Sequence, residues 1–210
     1  MQKDREQTRA RILQAVGRLL AESGFRELGV NAIAREAGVD KVLIYRYFGG
    51  MPELLRTFAE EGDFWPQLSE LAGEDDKNPG KISDVERAKL LLLAFGRALR
   101  KRPLTQEVMR WELLERNELT DALAHSREQQ AEPLFDYLNE QGSVDFRAIA
   151  SLLAAGQTYL ILRAKTADVY NGLRLNSEKD WLRIERAIAL LVDAAFRLKD
   201  EDTTRPPAQK

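Results

Sequence analysis

The chain has 210 residues, 44% of them hydrophobic, which is enough for one large domain or two small ones with a well-buried core. It has no cysteine and one histidine, so the composition argues against disulfides, thiolate metal sites and a histidine-based catalytic relay. Net charge is −2, but the first 50 residues sum to +3 and the remainder to −5. This asymmetry favours phosphate contact by the amino-terminal segment alone.

No apolar run approaches the roughly 20 residues that span a bilayer. The absence of cysteine fits a reducing compartment, so a cytoplasmic location is expected. No metal-ligand motif and no phosphate-binding loop occurs in the sequence, so we expect neither enzymatic activity nor a cofactor or metal.

Apolar residues recur at helical spacing along the whole chain, and no alternation is long enough to predict a strand. The first helix carries Ile12, Val16 and Leu20 on one face and stops at Gly24. Further helices are predicted over residues 30–37, 41–48, 51–65, 83–102, 105–116, 120–140, 145–170 and 177–198. Residues 73–82 form a polar loop, and the tail 199–210 is predicted to be disordered.

Residues 29–48 have the spacing of a helix-turn-helix. Ala34 is small where the two helices cross, Gly38 lies in the turn, and Ile44 is apolar where the pair must pack. Asp40 is a good N-cap for the second helix. Such a helix enters the major groove of DNA with its amino-terminal residues at the base edges.

Three stretches resemble the TetR family of bacterial regulators: Ile33-Ala34-Arg35-Glu36-Ala37-Gly38-Val39-Asp40-Lys41, Tyr45-Arg46-Tyr47-Phe48 and Glu53-Leu54-Leu55. The resemblance covers about residues 8–55. It implies an all-α homodimer with an N-terminal three-helix DNA-binding head (1–50) and a larger C-terminal helical bundle (51–198) for ligand binding and dimerisation. A small effector entering the bundle would change the spacing of the two heads and release operator DNA.

The DNA-facing positions that the motif implies are Gly29, Asn31, Asp40, Lys41, Val42, Leu43, Tyr45, Arg46, Tyr47 and Met51. Four sites among them depart from the family pattern. Gly29 stands where a capping threonine is common, Val42-Leu43 replace a glycine-threonine pair, and Met51 replaces a phosphate-binding lysine. Asp40 replaces a serine or threonine and brings a negative charge near the groove, although its carboxylate can accept from a cytosine amino group. Leu43 either packs on a thymine methyl group or packs inward.

The body offers two further hypotheses. The last two helices could form a four-helix dimer interface through Leu152, Gly156, Ile184, Ile188, Leu191 and Ala195, or these residues could be a monomeric core. The pocket for a largely apolar effector could be lined by Phe64, Trp65, Phe95, Met109, Trp111, Tyr137 and Tyr159. Alternatively, these residues could belong to the hydrophobic core.

Two functions remain open. The favoured one is a ligand-responsive transcriptional regulator, expected to be a repressor, that binds operator DNA as a homodimer. The alternative is a helical adaptor or ligand-binding protein whose DNA binding is weakened by the changes at Gly29 and Met51.

Overall fold

The structure is a computed structural model that describes residues 2–61, 65–73, 82–137 and 145–203. The described residues form ten helices, a short 3₁₀ turn at Phe25–Glu27 and one two-stranded hairpin. The helices are α1 (Gln2–Ser23), α2 (Val30–Ala37), α3 (Lys41–Phe48), α4 (Met51–Glu61), α5 (Leu68–Ala72), α6 (Asp84–Arg100), α7 (Pro103–Glu112), α8 (Glu118–Tyr137), α9 (Phe146–Arg163) and α10 (Glu178–Thr203). None of these helices is long and apolar enough to cross a membrane.

Packing divides the chain into two compact units, residues 1–65 with 102–129 and residues 66–101 with 130–210. The first unit contains the helix-turn-helix, and the second contains the last two helices. The predicted boundary at residue 50 is a functional division, which this packing does not test, so it stays a prediction.

In the first unit, α1 packs against α2, α4 and α7. Ile12, Val16 and Leu20 recur every four residues on one face of α1, and all three are fully buried. The four-residue spacing therefore predicts this face correctly, because residues i and i+4 lie on the same side of a helix.

In the second unit, α6 lies at the centre and packs against α5, α9 and α10. Its start is set by Ser83, whose Oγ accepts a hydrogen bond from the Glu86 backbone N–H at 3.3 Å. This bond is the first half of the capping pattern that Ser83 and Glu86 predict. Ala88, Leu91 and Leu92 bury the face of α6 that follows.

The predicted helix over residues 145–170 is too long at its carboxy-terminal end. The prediction that the chain contains no strand is also wrong. α9 stops at Arg163, and an antiparallel hairpin pairs Val169–Tyr170 (β1) with Leu173–Arg174 (β2). Asn171 and Gly172 both have positive φ, 48° and 79°, as a two-residue type I′ turn requires. Strands of two residues are too short to show an alternating pattern, although the Asn-Gly pair was a visible turn signal.

Other helix ends also differ from the predictions. Trp65 is not helical, α7 ends at Glu112 rather than 116, and α10 continues to Thr203 past the predicted residue 198. The short helix α5 was not predicted. Residues 138–140 of a predicted helix and 204–210 of the predicted tail lie outside the described residues.

Candidate DNA-binding site

The turn of the helix-turn-helix is held from two sides. Gly38 closes α2 in the left-handed conformation, with φ 62° and ψ 43°, which an L side chain adopts only with strain. The Val39 backbone N–H bonds to the Ala34 carbonyl at 3.0 Å. From α1, Arg11 Nη2 donates to the carbonyl oxygens of Ala37 at 2.6 Å and Gly38 at 3.2 Å. Arg11 therefore satisfies carbonyls that the end of α2 leaves free, and it holds the turn against α1.

The scaffold residues lie where the sequence predicts them. Ala34 is 6% exposed and Ile44 is fully buried, so the two helices of the motif pack through these positions. The recognition helix α3 starts at the predicted cap, because Asp40 Oδ1 accepts from the Val42 backbone N–H at 2.8 Å. That oxygen of Asp40 is thus engaged in the cap.

Four residues of α3 are exposed: Lys41, Val42, Tyr45 and Arg46. They occupy positions i, i+1, i+4 and i+5, so they form one continuous strip on the helix. Val42 is 62% exposed and Tyr45 is 53% exposed, although both have apolar bodies. The strip combines two cations, one phenol and one aliphatic side chain.

The two cations of this strip differ from several other arginines of the first unit. Arg9 pairs with Glu61, and Arg18 pairs with Glu36 at 2.6 Å. The hydrogen bond from Arg9 lowers the pKa of the Glu61 carboxyl, and the same bond raises the pKa of Arg9. Within the part of the chain that the structure describes, Lys41 and Arg46 form no ion pair, so their charge is available to an external anion.

The other predicted DNA-facing residues have different surroundings. Leu43 is half-buried, and Tyr47 and Met51 are half-buried and pack against the core of the head. The Arg5 guanidinium lies 5.6 Å from the centre of the Tyr47 ring. Asn31 is exposed in the first turn of α2. Of the ten predicted residues, Tyr47 and Met51 thus use part of their surface to pack α3 and α4 against the core of the first unit.

Gly29 is the N-cap of α2 and offers no side-chain hydrogen bond there. Its backbone is extended, with φ −156° and ψ 159°, a conformation open to any residue. A Cβ at Gly29 would meet no atom within 4 Å. The local structure therefore does not require glycine at this cap.

The predicted effector residues that the structure describes belong partly to the first unit and partly to the second. Trp65, Met109 and Trp111 pack in the core of the first unit, and Phe95 packs in that of the second. Tyr159 is 49% exposed and meets Tyr170 edge-to-face at 5.3 Å. Phe64 and the side chain of Tyr137 lie outside the described residues.

The structure contains a partly buried ion pair beside Trp65 that the sequence did not predict. Arg127 lies over the Trp65 ring at 5.7 Å and pairs with Glu112. Burial raises the pKa of the Glu112 carboxyl against the opposing effect of Arg127, and Glu112 Oε1 has no hydrogen-bond partner among the described residues. Arg127 and Glu112 are 15 positions apart on different helices, so their spacing in the sequence carried no signal.

The predicted dimer residues divide into two groups. Leu152 and Leu191 are 74% and 53% exposed, and Gly156 is exposed as well. Ile188 and Ala195 are buried within the chain, and Ile184 packs against the core of the second unit. These last three residues face inward. Leu190, next to the exposed Leu191 on α10, is 63% exposed and was not among the predicted residues.

Known proteins resemble both the head and the whole chain. The family described as bacterial regulatory proteins, tetR family, matches residues 12–58. The HTH-type transcriptional repressor KstR of Rhodococcus jostii (strain RHA1) is 28% identical over 190 residues, covering 82% of each chain.

Two solved structures share the fold over most of their length. The fatty acid degradation regulator FadR from Bacillus halodurans superposes with a TM-score of 0.64 at 18% identity, covering 88% of this chain and 94% of that one. The transcriptional regulator FadR from Bacillus subtilis in complex with stearoyl-CoA has a TM-score of 0.62 at 20% identity, covering 87% and 96%.

The two kinds of likeness agree. The match over residues 12–58 contains the turn at Gly38 and the whole recognition helix α3, and the structural likeness extends the shared all-α fold into the carboxy-terminal helices. Residues 12–58 therefore carry the helix-turn-helix domain of the tetR family of bacterial regulatory proteins, and a carboxy-terminal helical domain follows them.

Proposed function

We propose that this protein is a ligand-responsive transcriptional repressor that binds operator DNA as a homodimer. The observation that carries the proposal is the exposed strip of α3, where Lys41 and Arg46 form no ion pair among the described residues and lie beside Val42 and Tyr45. Repression, rather than activation, is supported by the name of the relative KstR, a transcriptional repressor.

The strip has the chemistry that a major groove needs. Lysine and arginine neutralise phosphates, and a tyrosine hydroxyl donates a hydrogen bond to a phosphate oxygen. The Asp40 cap and the Arg11 hydrogen bonds hold α3 in place, so docking costs little conformational entropy. We assign phosphate contacts to Lys41, Tyr45 and Arg46.

The dimer is supported by the surface of the last two helices and the hairpin between them. Six of the ten large apolar side chains that are exposed in the described residues lie between 152 and 191: Leu152, Tyr159, Val169, Leu182, Leu190 and Leu191. The concentration of these side chains on two helices that contact each other, and on the hairpin between them, favours an interaction surface there. We propose that α9 and α10 pack against the same helices of a second copy, with two reading heads about 34–36 Å apart on successive turns of DNA.

Gly156 supplies a second argument for the dimer. A Cβ at this position would meet no atom within 4 Å, so packing inside the subunit does not require glycine. Glycine within a helix costs about 1 kcal/mol relative to alanine. Close approach of a helix from a second subunit would explain its presence on an exposed face.

For the effector we propose a largely apolar small molecule. The FadR of Bacillus subtilis binds stearoyl-CoA, and it shares the fold of this chain at 20% identity. The stearoyl chain of this ligand is apolar, although its coenzyme A group is charged, so stearoyl-CoA is the first compound to test. If it is an effector, it lowers the affinity of the protein for its DNA, whereas coenzyme A alone does not.

The test of DNA binding is a salt titration with the region upstream of the protein's own gene, read by fluorescence anisotropy. We expect affinity to fall steeply with salt, because bound lysine and arginine release counterions from phosphate. Lys41→Ala and Arg46→Ala each lower the salt slope of the dimer by about two, since each variant removes one phosphate-binding cation from each of the two subunits. Arg116→Ala is the matched control, because it removes one exposed positive charge from outside α3 and leaves the slope unchanged.

A different result would favour the adaptor. If neither the upstream region nor a random duplex library yields salt-sensitive binding, the repressor proposal fails, and the exposed strip of α3 belongs to a protein contact. If Arg116→Ala lowers the slope as much as Lys41→Ala does, the assignment of phosphate contacts to α3 is wrong.

A further inference from the structure

The exposed strip of α3 contains one side chain that phosphate binding does not explain. Val42 is 62% exposed and aliphatic, and it lies between the cations Lys41 and Arg46 in sequence and on the helix surface. It takes no part in the core of the head, whereas its neighbour Leu43 is half-buried. In an otherwise polar, positively charged strip, this is the one branched aliphatic group directed at solvent.

We propose that Val42 is a specificity-determining residue that reads the methyl group of a thymine in each operator half-site. The inference rests on the proposed operator binding and goes further by naming one base and the side chain that selects it. Lys41, Tyr45 and Arg46 then position α3 on the backbone, and Val42 distinguishes one sequence from another.

The position of Val42 suits base reading. It is the second residue of α3, and recognition helices present their amino-terminal residues to the base edges. Its backbone N–H is held by the Asp40 carboxylate at 2.8 Å. A β-branched side chain on a helix has one strongly preferred rotamer, so the two methyl groups of Val42 are held in one place.

The chemistry of the major groove selects the partner. The valine side chain neither donates nor accepts a hydrogen bond, and the thymine C5-methyl is the only apolar group that a base pair presents in that groove. Against the amino group of cytosine or the acceptors of guanine, Val42 would remove water from a polar edge without replacing its hydrogen bond. Thymine is therefore favoured twice, by apolar packing on its methyl group and by the desolvation penalty at the other bases.

The test begins with selection of bound duplexes from a random library by the full-length wild-type protein. Each thymine of the selected site is then replaced by deoxyuridine, which lacks only the C5-methyl group. We expect one thymine in each half-site at which this replacement weakens wild-type binding about fourfold, the value of one buried methyl-sized group. Val42→Ala binds the thymine and deoxyuridine duplexes equally at that position.

Leu43→Ala is the matched control, because it shortens the adjacent aliphatic side chain of the same helix. It retains the sensitivity to deoxyuridine if Val42 packs on the methyl group. Replacing the contacted thymine by cytosine weakens wild-type binding, and 5-methylcytosine at the same place recovers part of the affinity because the methyl group is restored.

Each contrary outcome has a distinct meaning. If the protein selects a site but no thymine methyl matters, the inference is overturned while operator binding stands. If Leu43→Ala removes the sensitivity and Val42→Ala keeps it, Val42 is not the reading residue. If no duplex is bound, the proposed function fails, and this inference fails with it.

Discussion

At the scale of single residues, the head depends on side chains that satisfy particular backbone atoms. Arg11 bonds to two carbonyls at the end of α2, and Asp40 bonds to the Val42 N–H at the start of α3. Gly29, at the start of α2, makes no such bond. The first helix of the reading motif is therefore less well capped than the second.

We predict that Gly29→Ser stabilises the protein by about 0.5–1 kcal/mol, because serine adds a capping hydroxyl and reduces the freedom of the unfolded chain. The extended backbone and the open space around this position accept the side chain. Urea denaturation followed by circular dichroism measures the change.

The same substitution at the other end of α2 is the control. Gly38→Ser places a side chain on a left-handed residue, with its Cβ 3.1 Å from Arg11 Nη2. It should destabilise the protein by about 1–2 kcal/mol. Equal effects at the two positions would contradict this account of the two glycines.

At the scale of secondary-structure elements, α6 and α9 approach closely at Gly96. Gln157, on α9, is 4% exposed, and its Nε2 donates to the Leu92 carbonyl of α6 at 3.1 Å. A Cβ at Gly96 would overlap Gln157 Oε1 and lie 3.0 Å from its Cδ. The glycine thus makes room for a buried side-chain amide that joins the two helices.

We predict that Gly96→Ala destabilises the protein by about 1–3 kcal/mol, because Gln157 is displaced and a buried amide is left without its hydrogen bond. Gly17→Ala on α1 is the matched control, because the new Cβ would lie in ordinary contact, 3.6 Å from the side chains of Leu104 and Phe58, and helix propensity favours alanine. In the double variant Gly96→Ala with Gln157→Ala, the destabilisation should be smaller than the sum of the two single effects. Strict additivity would show that the two residues are not coupled.

At the scale of the whole molecule, the exposed apolar side chains of α9 and α10 require an explanation outside the subunit. Leu190 and Leu191 are exposed on α10, directly beside the buried Ile188 and Val192. One side of α10 thus completes the core of its own unit, and the other side is open to a partner.

We predict that Leu191→Glu converts the dimer, of twice 23.9 kDa, into the monomer in sedimentation at micromolar concentration. The substitution removes two leucines from a symmetric interface, so the dissociation constant should rise by at least about a hundredfold. Leu113→Glu is the control, since this residue is 78% exposed in the turn after α7 and lies outside α9 and α10. A wild-type monomer, or a dimer unaffected by Leu191→Glu, would contradict the proposed interface.

Local sequence signals determined the helical class, the turn at Gly38, the cap at Asp40 and the buried face of α1, because each depends on neighbours within about one helical turn. The hairpin at Asn171-Gly172 was not predicted, because strands of two residues are too short to show an alternation of apolar and polar residues. The family resemblance named the reading helix, yet it did not reveal which of its side chains are exposed.

Only the tertiary structure decided which way the apolar faces point. On α3, Val42 is exposed while Leu43 is half-buried, and on α10 Ile188 is buried while Leu191 is exposed. Helical periodicity determines which residues share a face, but the rotation of that face depends on the helices packed against it. The sequence by itself therefore determined that this protein has a helix-turn-helix and two closing helices with apolar faces. Packing within each unit decided which residues of those helices stay exposed.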